Sequence, residues 1–422
     1  MNTNELKNKI SNGEYNKDFI YLYGESETAS TRYLKAVESF VGIFGERDNL
    51  RLFTAPGRSE IGGNHTDHQH GSIIGASIDL DVIAVVSANN DNVIRIKSEG
   101  YSMDTVELSA LEPKSNEKGR SAAIIRGVAA AFNKNGYKIG GFDAYTTSNV
   151  LKGSGLSSSA AFEVLVANII NNIYNDKKVN TTDLAIYSQF AEREYFGKPC
   201  GLLDQISSAT GGFIYVDFNN PSMPIVEKLK YDFDNSGYQL CVVDTGGSHA
   251  NLTQDYADIT LECKAISNEL GVEFLRDANE SEFKKAIPVL RKKYGERAIL
   301  RALHFFSEQQ RVLKQRIALN DNNFAEFLNN VNKSGDSSYK FLQNLYSNTN
   351  IKEQSLCLAI ALTQDFLGND GACRVHGGGF AGTIQAYIPT ERFSEYKTMI
   401  EAVFGEGSCI PLKVRKVGGY EF

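Results

Sequence analysis

No two cysteines of this sequence form a CxxC pair. The six, Cys200, Cys241, Cys263, Cys357, Cys373 and Cys409, are scattered, so neither a zinc ribbon nor a redox pair is suggested, and reduced core thiols are expected. No uninterrupted apolar run approaches the roughly eighteen residues of a membrane span, and the opening MNTNELKNKI is polar, so a cytoplasmic protein without a membrane partner is expected. Basic charge is also short. Lys and Arg total 44 against 51 Asp and Glu, a net charge of −7, which leaves no surplus for nucleic acid and requires that any anionic ligand be held locally. The Walker pattern GxxxxGK[ST] is missing, as is a good Rossmann fingerprint, which excludes an ordinary P-loop. What is present is ordinary: 42% hydrophobic and 23% charged residues over 422 positions argue against disorder and coiled coil and for two folded domains.

Helical spacing dominates residues 27 to 45. RLFTAP and SIIGASIDLDVIAVVSANNDNVIRIKS then alternate apolar and polar residues, with NND read as a hairpin turn in a mostly antiparallel sheet. SAAIIRGVAAAFNKNG is an amphipathic helix, GGFDAYTTSN a strand, and SSSAAFEVLVANIINNIY a long apolar helix that begins at a serine cluster. TTDLAIYSQFAEREYFG reads as a further helix, KPCGLLDQ as a loop and GGFIYVDFNN as a strand. The first half is therefore α/β. A boundary is expected near NNPSMP at 219 to 224, dividing the chain into 1–220 and 221–422. Beyond it, YQLCVVDTGG is a strand and residues 252 to 345 are helix-rich. GACRVHGGGFAGTIQAYI sets a glycine loop beside a strand, and LKVRKVGGYEF reads as a terminal strand.

Three clusters carry chemistry. KGSGLSSSAA at 152 to 161 puts Gly153, Gly155, Ser157, Ser158 and Ser159 at a helix start, whose free N–H groups and positive dipole end suit a phosphate. Taken alone, such a cluster is more often a capped helix end. HGGGFAG at 376 to 382 allows a close backbone approach, or simply a tight turn. APGRSEIGGNHTDHQHG at 55 to 71 gathers Arg58, Glu60, Asn64, His65, Asp67, His68 and His70. Its histidines could be read as a transition-metal site, although their spacing fits no standard pattern.

In order and separation these clusters resemble those of the GHMP family of small-molecule kinases, and within it the galactokinases, over nearly the whole chain. GRSEIGGNHTDHQHG is similar to that family's GRxNxIGEHTDYxxG, GLSSSAA at 155 to 161 is intact, and PCGLLDQ at 199 to 205 resembles PCGIMDQ. HANLTQDY at 249 to 256 and RALHFFSEQQRV at 301 to 312 resemble further family segments, and Gly377 to Gly382 resembles GGGFGG with Ala381 in place of a glycine.

The resemblance implies a two-domain α/β + α+β GHMP kinase fold with its active site in the cleft between the domains. It implies a monomer that transfers a phosphoryl group from ATP, with Mg²⁺, to the anomeric hydroxyl of D-galactose. Asp204 matches the catalytic aspartate and Arg58 its neighbour, a guanidinium able to offset charge developing on the transferring group. Gly153, Gly155, Ser157, Ser158 and Ser159 match the nucleotide-binding loop, Ser159 and Glu192 the Mg²⁺ ligands, and Asn64, His65, Asp67, Gly201 and Tyr256 the sugar-binding positions. The chain departs from the galactokinase pattern at Asn64, where that family has Glu, and at His68, where it has Tyr. Loss of a negative charge at 64 would make a C6 carboxylate less disfavoured, so a galacturonokinase or another sugar 1-kinase is the alternative reading. A non-catalytic galactose and ATP sensor is a further one, opposed by the intact Ser159 and Ala160. Ser59 and Glu60 have no role that the sequence discloses.

Overall fold

The computed structural model describes residues 1–151, 155–247 and 252–422. Its strands are β1 (Leu50–Gly62), β2 (Ser72–Ala88), β3 (Val93–Ser98), β4 (Met103–Glu107), β5 (Phe142–Ser148), β6 (Phe213–Asp217), β7 (Ile225–Lys228), β8 (Tyr238–Asp244), β9 (Ala372–Val375), β10 (Thr383–Pro389), β11 (Cys409–Leu412) and β12 (Tyr420–Glu421). The helices are α1 (Thr3–Ser11), α2 (Asn16–Tyr23), α3 (Glu27–Phe44), α4 (Ser121–Lys134), α5 (Ser158–Tyr174), α6 (Thr181–Phe190), α7 (Leu203–Thr210), α8 (Thr253–Glu269), α9 (Glu280–Asn320), α10 (Phe324–Ser337), α11 (Ser355–Leu367) and α12 (Phe393–Phe404).

Among the described residues two sheets form. The first runs β12-β1-β2-β5-β3-β4, with β6 and then β7 added along the first part of β2. Alternation along its two long strands directs Phe53, Ala55, Ala84 and Val86 into one core with α4, α5 and α7, and Leu50, Leu52, Ile83 and Val85 into another beneath α1, α2 and α3. The pairing of β1 with β2 shifts register between Pro56 and Arg58 and again between Glu60 and Gly62. Such irregularities bend a strand and re-aim its side chains, and here they flank Arg58.

NND is not a hairpin turn. β5 lies between β2 and β3 and pairs in parallel with β3, because α4 carries the chain back before the sheet continues. Asn89 fixes that exit: its N–H donates to the Gly141 carbonyl at 2.9 Å, and its side-chain amide to Val93 O and Asp143 Oδ1, each at 3.1 Å.

The second sheet is antiparallel, β11-β8-β10-β9. One face, through Cys241, Val243, Cys373 and Ile384, packs under α11 and α12, while Leu240, Val242, Ala372 and Tyr387 on the other join Val312, Phe327 and Val331 of α9 and α10 in the core shared with the first sheet. The boundary expected at 220 is therefore crossed: β7 pairs with β6, β12 with β1, and apolar packing is continuous across it. The terminal strand is also shorter than LKVRKVGGYEF suggested. Residues 409–412 belong to the second sheet, Val414 makes a single bridge to Ile78 of β2, and Tyr420–Glu421 pairs with β1. All six cysteines are free thiols, four of them buried. No described helix is long and apolar enough to cross a membrane.

Candidate active site

Gly57 lets β1 approach the serine loop, since a Cβ there would lie 2.7 Å from the Leu156 carbonyl. Arg58 follows, its N–H donating to that same carbonyl at 3.0 Å and its guanidinium to the Gly155 carbonyl. The loop turns into α5 through two left-handed residues, Gly155 at φ 70° and Ser157 at φ 59°. A non-glycine residue held there carries local strain of the kind concentrated at functional sites. Asp204 does not sit in a loop, as PCGLLDQ suggested, but in the first turn of α7, where the helix dipole favours a carboxylate. Its Oδ1 accepts from Arg58 Nε and Nη2, both at 2.7 Å, and its Oδ2 from the Ser157 hydroxyl. The Arg58 side chain is 10% exposed and that of Asp204 30%, so the carboxylate is held firmly on one side and open on the other.

Next to this pair lies a second acidic group. Glu192, in a π-helical turn over Ala191–Phe196 that continues α6, is buried rather than solvated. Its Oε1 accepts from Ser159 Oγ at 3.3 Å and Lys198 Nζ at 2.9 Å. Gln205 Nε2 bridges Glu192 Oε2 at 2.8 Å and Glu163 Oε2 at 2.9 Å. Burial, and after it the nearby Glu192 charge, pushes the Glu163 carboxyl far above the usual range. Sequence reasoning passed over Glu163 and Gln205. The available signal was a glutamate inside the apolar run AAFEVLVA. Ser159 and Glu192 offer the hard oxygen donors a small divalent cation prefers when phosphate oxygens and waters complete its shell. Among the described residues no cluster of three metal-ligating side chains exists. The histidines read as a metal-site alternative diverge: His70 stacks on Phe274 at 3.5 Å, while the His65 and His68 rings lie 5.8 Å apart.

A cleft of about 870 Å³ opens beside Leu202 and is lined by His65, Asp67, His68, Gly201 and Tyr256. Gly201 lies close against Asp67, since a Cβ there would come within 2.5 Å of Asp67 Oδ2 and push that carboxylate aside. His65 donates from Nε2 to the Gly378 carbonyl at 2.8 Å, and burial, then His68, lowers its pKa to about 4, so it is neutral near pH 7. The Tyr256 hydroxyl donates to the Gly379 carbonyl at 2.8 Å, its ring meets Phe380 edge-on, and burial pushes the phenol up to about 12. The glycine loop at 376 to 382 thus backs the cleft.

Asn64 is misplaced by the sequence reading. It is fully buried and does not line the cleft. Its Nδ2 donates to Glu60 Oε1 at 3.0 Å and the Gly377 carbonyl at 2.7 Å, and its Oδ1 accepts from Asn344 at 2.8 Å and Ser338 at 3.3 Å. With every polar atom engaged by protein, it offers nothing to a C6 substituent, and the argument for a uronic acid from its lost charge falls. Ser59 and Glu60 acquire roles in the same seam: Ser59 Oγ meets His376 Nε2 at 3.1 Å and Gln385 at 2.7 Å, and Glu60 accepts from buried Arg374 at 2.7 Å. Gly153, and His249 to Asn251 of HANLTQDY, lie outside the described residues.

Family models and known proteins match the chain as follows. The galactokinase galactose-binding signature matches residues 38–88, and the GHMP kinases N terminal domain matches 123–212. The chain is 28% identical over 410 residues to a galactokinase of Clostridium tetani, covering 95% of this chain and 92% of that protein. It is 29% identical to one from Streptomyces coelicolor, covering 87% and 94%. Its fold matches that of Lactococcus lactis galactokinase solved with galactose, with a TM-score of 0.78 at 22% identity, over 92% of this chain and 100% of that one. A solved mevalonate kinase matches with a TM-score of 0.59 at 14% identity, over 88% and 98%.

Proposed function

We propose that the chain is a GHMP kinase and that it phosphorylates the anomeric hydroxyl of D-galactose with ATP, giving galactose 1-phosphate and ADP. The observation that carries this reading is Asp204, whose one oxygen is fixed by Arg58 and whose other, among the described residues, accepts from the Ser157 hydroxyl, two positions after Leu202 in the wall of a cleft of sugar-binding character.

Phosphoryl transfer depends mainly on positioning and charge, and the residues divide along those lines. Asp67, His65 and Tyr256 orient the sugar in the cleft. The sugar's C1 hydroxyl takes the place of Ser157 at Asp204 Oδ2, which accepts its proton as the oxygen attacks the γ-phosphoryl group. Arg58 remains on Oδ1, so the carboxylate keeps its orientation, and its charge offsets that gathering on the transferring group. Ser157, freed from Asp204, and the N–H groups at the start of α5 face the phosphates together with Gly155, Ser158 and Ser159. Ser159 and Glu192 would hold Mg²⁺, which when bound neutralises phosphate charge. Lys198 pairs with the same Glu192 oxygen and gives way to the cation. The protein works as a monomer on the cytoplasmic ATP pool, with residues 1–220 supplying most of these groups and 221–422 supplying Tyr256 and the glycine loop behind the cleft.

The test is ADP release by purified protein with ATP and Mg²⁺ against galactose, galacturonate, N-acetylgalactosamine, arabinose and glucose, each beside a no-sugar blank. Strongest turnover with galactose is expected. Strongest turnover with galacturonate would replace the substrate, and tight galactose binding without turnover with any sugar would replace the kinase by a sensor.

A further inference from the structure

The turn that carries His65 and Asp67 is held from outside as well as from within. Between Gly63 and Gly71 the chain enters the left-handed region at Gly63 (φ 90°), His65 (φ 58°) and His70 (φ 59°). For the two histidines this conformation is costly unless the surroundings impose it. Inside the turn, the Thr66 hydroxyl donates to Gly63 O at 2.8 Å and Ser72 O at 2.9 Å, and the N–H groups of Thr66, Gln69, His70 and Gly71 donate to carbonyls of Gly63, Thr66, Asp67 and Thr66 in turn.

From outside, the turn is held by the bonds of Asn64 and His65 already described, by the Leu275 N–H on Gln69 and Arg276 on the His70 carbonyl, and by one face of α9, which takes the backbone at both of its ends. His304 and Glu308 stand one helical turn apart, with Gln309 adjoining. Glu308 Oε1 accepts the Gly63 N–H at 3.1 Å, His304 Nε2 donates to the Asn64 carbonyl at 2.9 Å, and Gln309 both accepts from Ser72 N at 2.9 Å and donates to Ser72 O at 3.3 Å. These are the residues on either side of His65 and Asp67. Each anchor is itself fixed. Glu308 also accepts from Ser334 at 2.6 Å and Arg311 at 2.7 Å, and His304 Nδ1 meets the Ser337 hydroxyl at 2.9 Å. Because Nε2 must donate to a carbonyl, His304 Nδ1 is the accepting nitrogen. None of the three lines the cleft.

We propose that His304, Glu308 and Gln309 are positioning residues that set sugar affinity by holding the backbone of the 63–71 turn, without touching sugar or nucleotide. This rests on the reading of the cleft as a sugar site. The segment RALHFFSEQQRV, which the catalytic groups leave unused, thereby acquires a role: it is the template on which Asp67 and His65 are set. Small displacements of such groups are costly, since a shift of about 1 Å can lose roughly a hundredfold in rate.

The test compares Glu308→Ala, Glu308→Gln and the milder Gln309→Ala with wild type, reading KM for galactose, KM for ATP, kcat and thermal midpoint. Expected is a rise of about tenfold in galactose KM for Glu308→Ala, with ATP KM and kcat within about twofold. Glu308→Gln, which keeps an oxygen for the Gly63 N–H, should restore part of that loss, and half-buried Gln309→Ala should raise galactose KM about threefold. The proposal is overturned if galactose KM stays at the wild-type value in a folded variant, or if both KM values rise and kcat falls in parallel with a lowered thermal midpoint. If Glu308→Ala does not fold, Gln309→Ala decides. Wild-type protein that turns over no sugar would remove the kinase reading and this proposal with it, whereas wild-type turnover with unmoved variants removes the proposal alone.

Discussion

Asp81 and Asp204 both meet arginine, and they are built to opposite ends. Asp81, in β2, is fully buried and accepts from Tyr23 at 2.7 Å, from Arg415 at 3.0 Å, and from Arg32 and Thr54. Burial alone pushes its carboxyl up, but the Arg32 and Arg415 charges more than offset that and hold it below the usual range. No oxygen of Asp81 is left to trade. Asp204 meets, among the described residues, one arginine and one serine, and its side chain is 30% exposed. The difference teaches that pairing with arginine does not mark a catalytic carboxylate. What sets Asp204 apart is its exposure and a hydroxyl partner, which under the proposed reaction would be exchanged for substrate.

Substitutions at the two sites should break the comparison cleanly. Asp204→Asn keeps volume but loses the proton acceptor, and kcat should fall about 10²- to 10⁴-fold with the thermal midpoint nearly unchanged; full activity would refute its role. Asp81→Asn should instead remove about 3–5 kcal/mol of stability in denaturant titration, because Arg32 and Arg415 lose a buried counter-charge, while kcat per folded molecule holds. Asn64→Glu belongs with the sealed class: it sets a carboxylate against Glu60, so it should cost about 3 kcal/mol and leave the galactose-to-galacturonate ratio of kcat/KM unmoved. A shifted ratio would return Asn64 to the cleft.

Acid sharpens the same contrast. Burial pushes Glu308 up, but Arg311, then His304 and Arg374, pull it further down, to about 2. A depressed carboxylate contributes its stability above the unfolded value near 4.5 and loses it as pH falls towards 2, so about 3 kcal/mol should disappear across that window, followed by chemical denaturation at stepped pH. The smallest effect is expected at an open pair. Lys198→Met frees Glu192 of a half-exposed ammonium and should lower the Mg²⁺ concentration for half-maximal ADP release about two- to fivefold; an unchanged or higher requirement would exclude competition.

Local chemistry was legible where short segments carry it. GLSSSAA and PCGLLDQ singled out Ser157, Ser159 and Asp204; the structure joins Asp204 to Ser157 and, across 146 positions, to Arg58, and sets Ser159 against Glu192. Sequence failed where partners are distant. Asn64 read as a pocket wall because its bonds to Gly377 and Asn344 come from the other end of the chain. NND read as a hairpin because nothing local announces that β5 will insert beside β2. Glu308 and His304 lay inside a helix pattern in which a buried carboxylate and an outward-facing one look alike.

The contact of Glu60 with Arg374 joins positions 314 apart across the seam between the two sheets. Arg374 is fully buried, and its Nε and Nη1 find no other hydrogen-bond partner among the described residues. Losing either residue first strands a polar group in the interior, so descendants of this protein have a narrow road between one pairing and another. Drift at the two codons should therefore be locked in step: a lineage that gives up Glu60 must already have softened Arg374, or must repair it soon after.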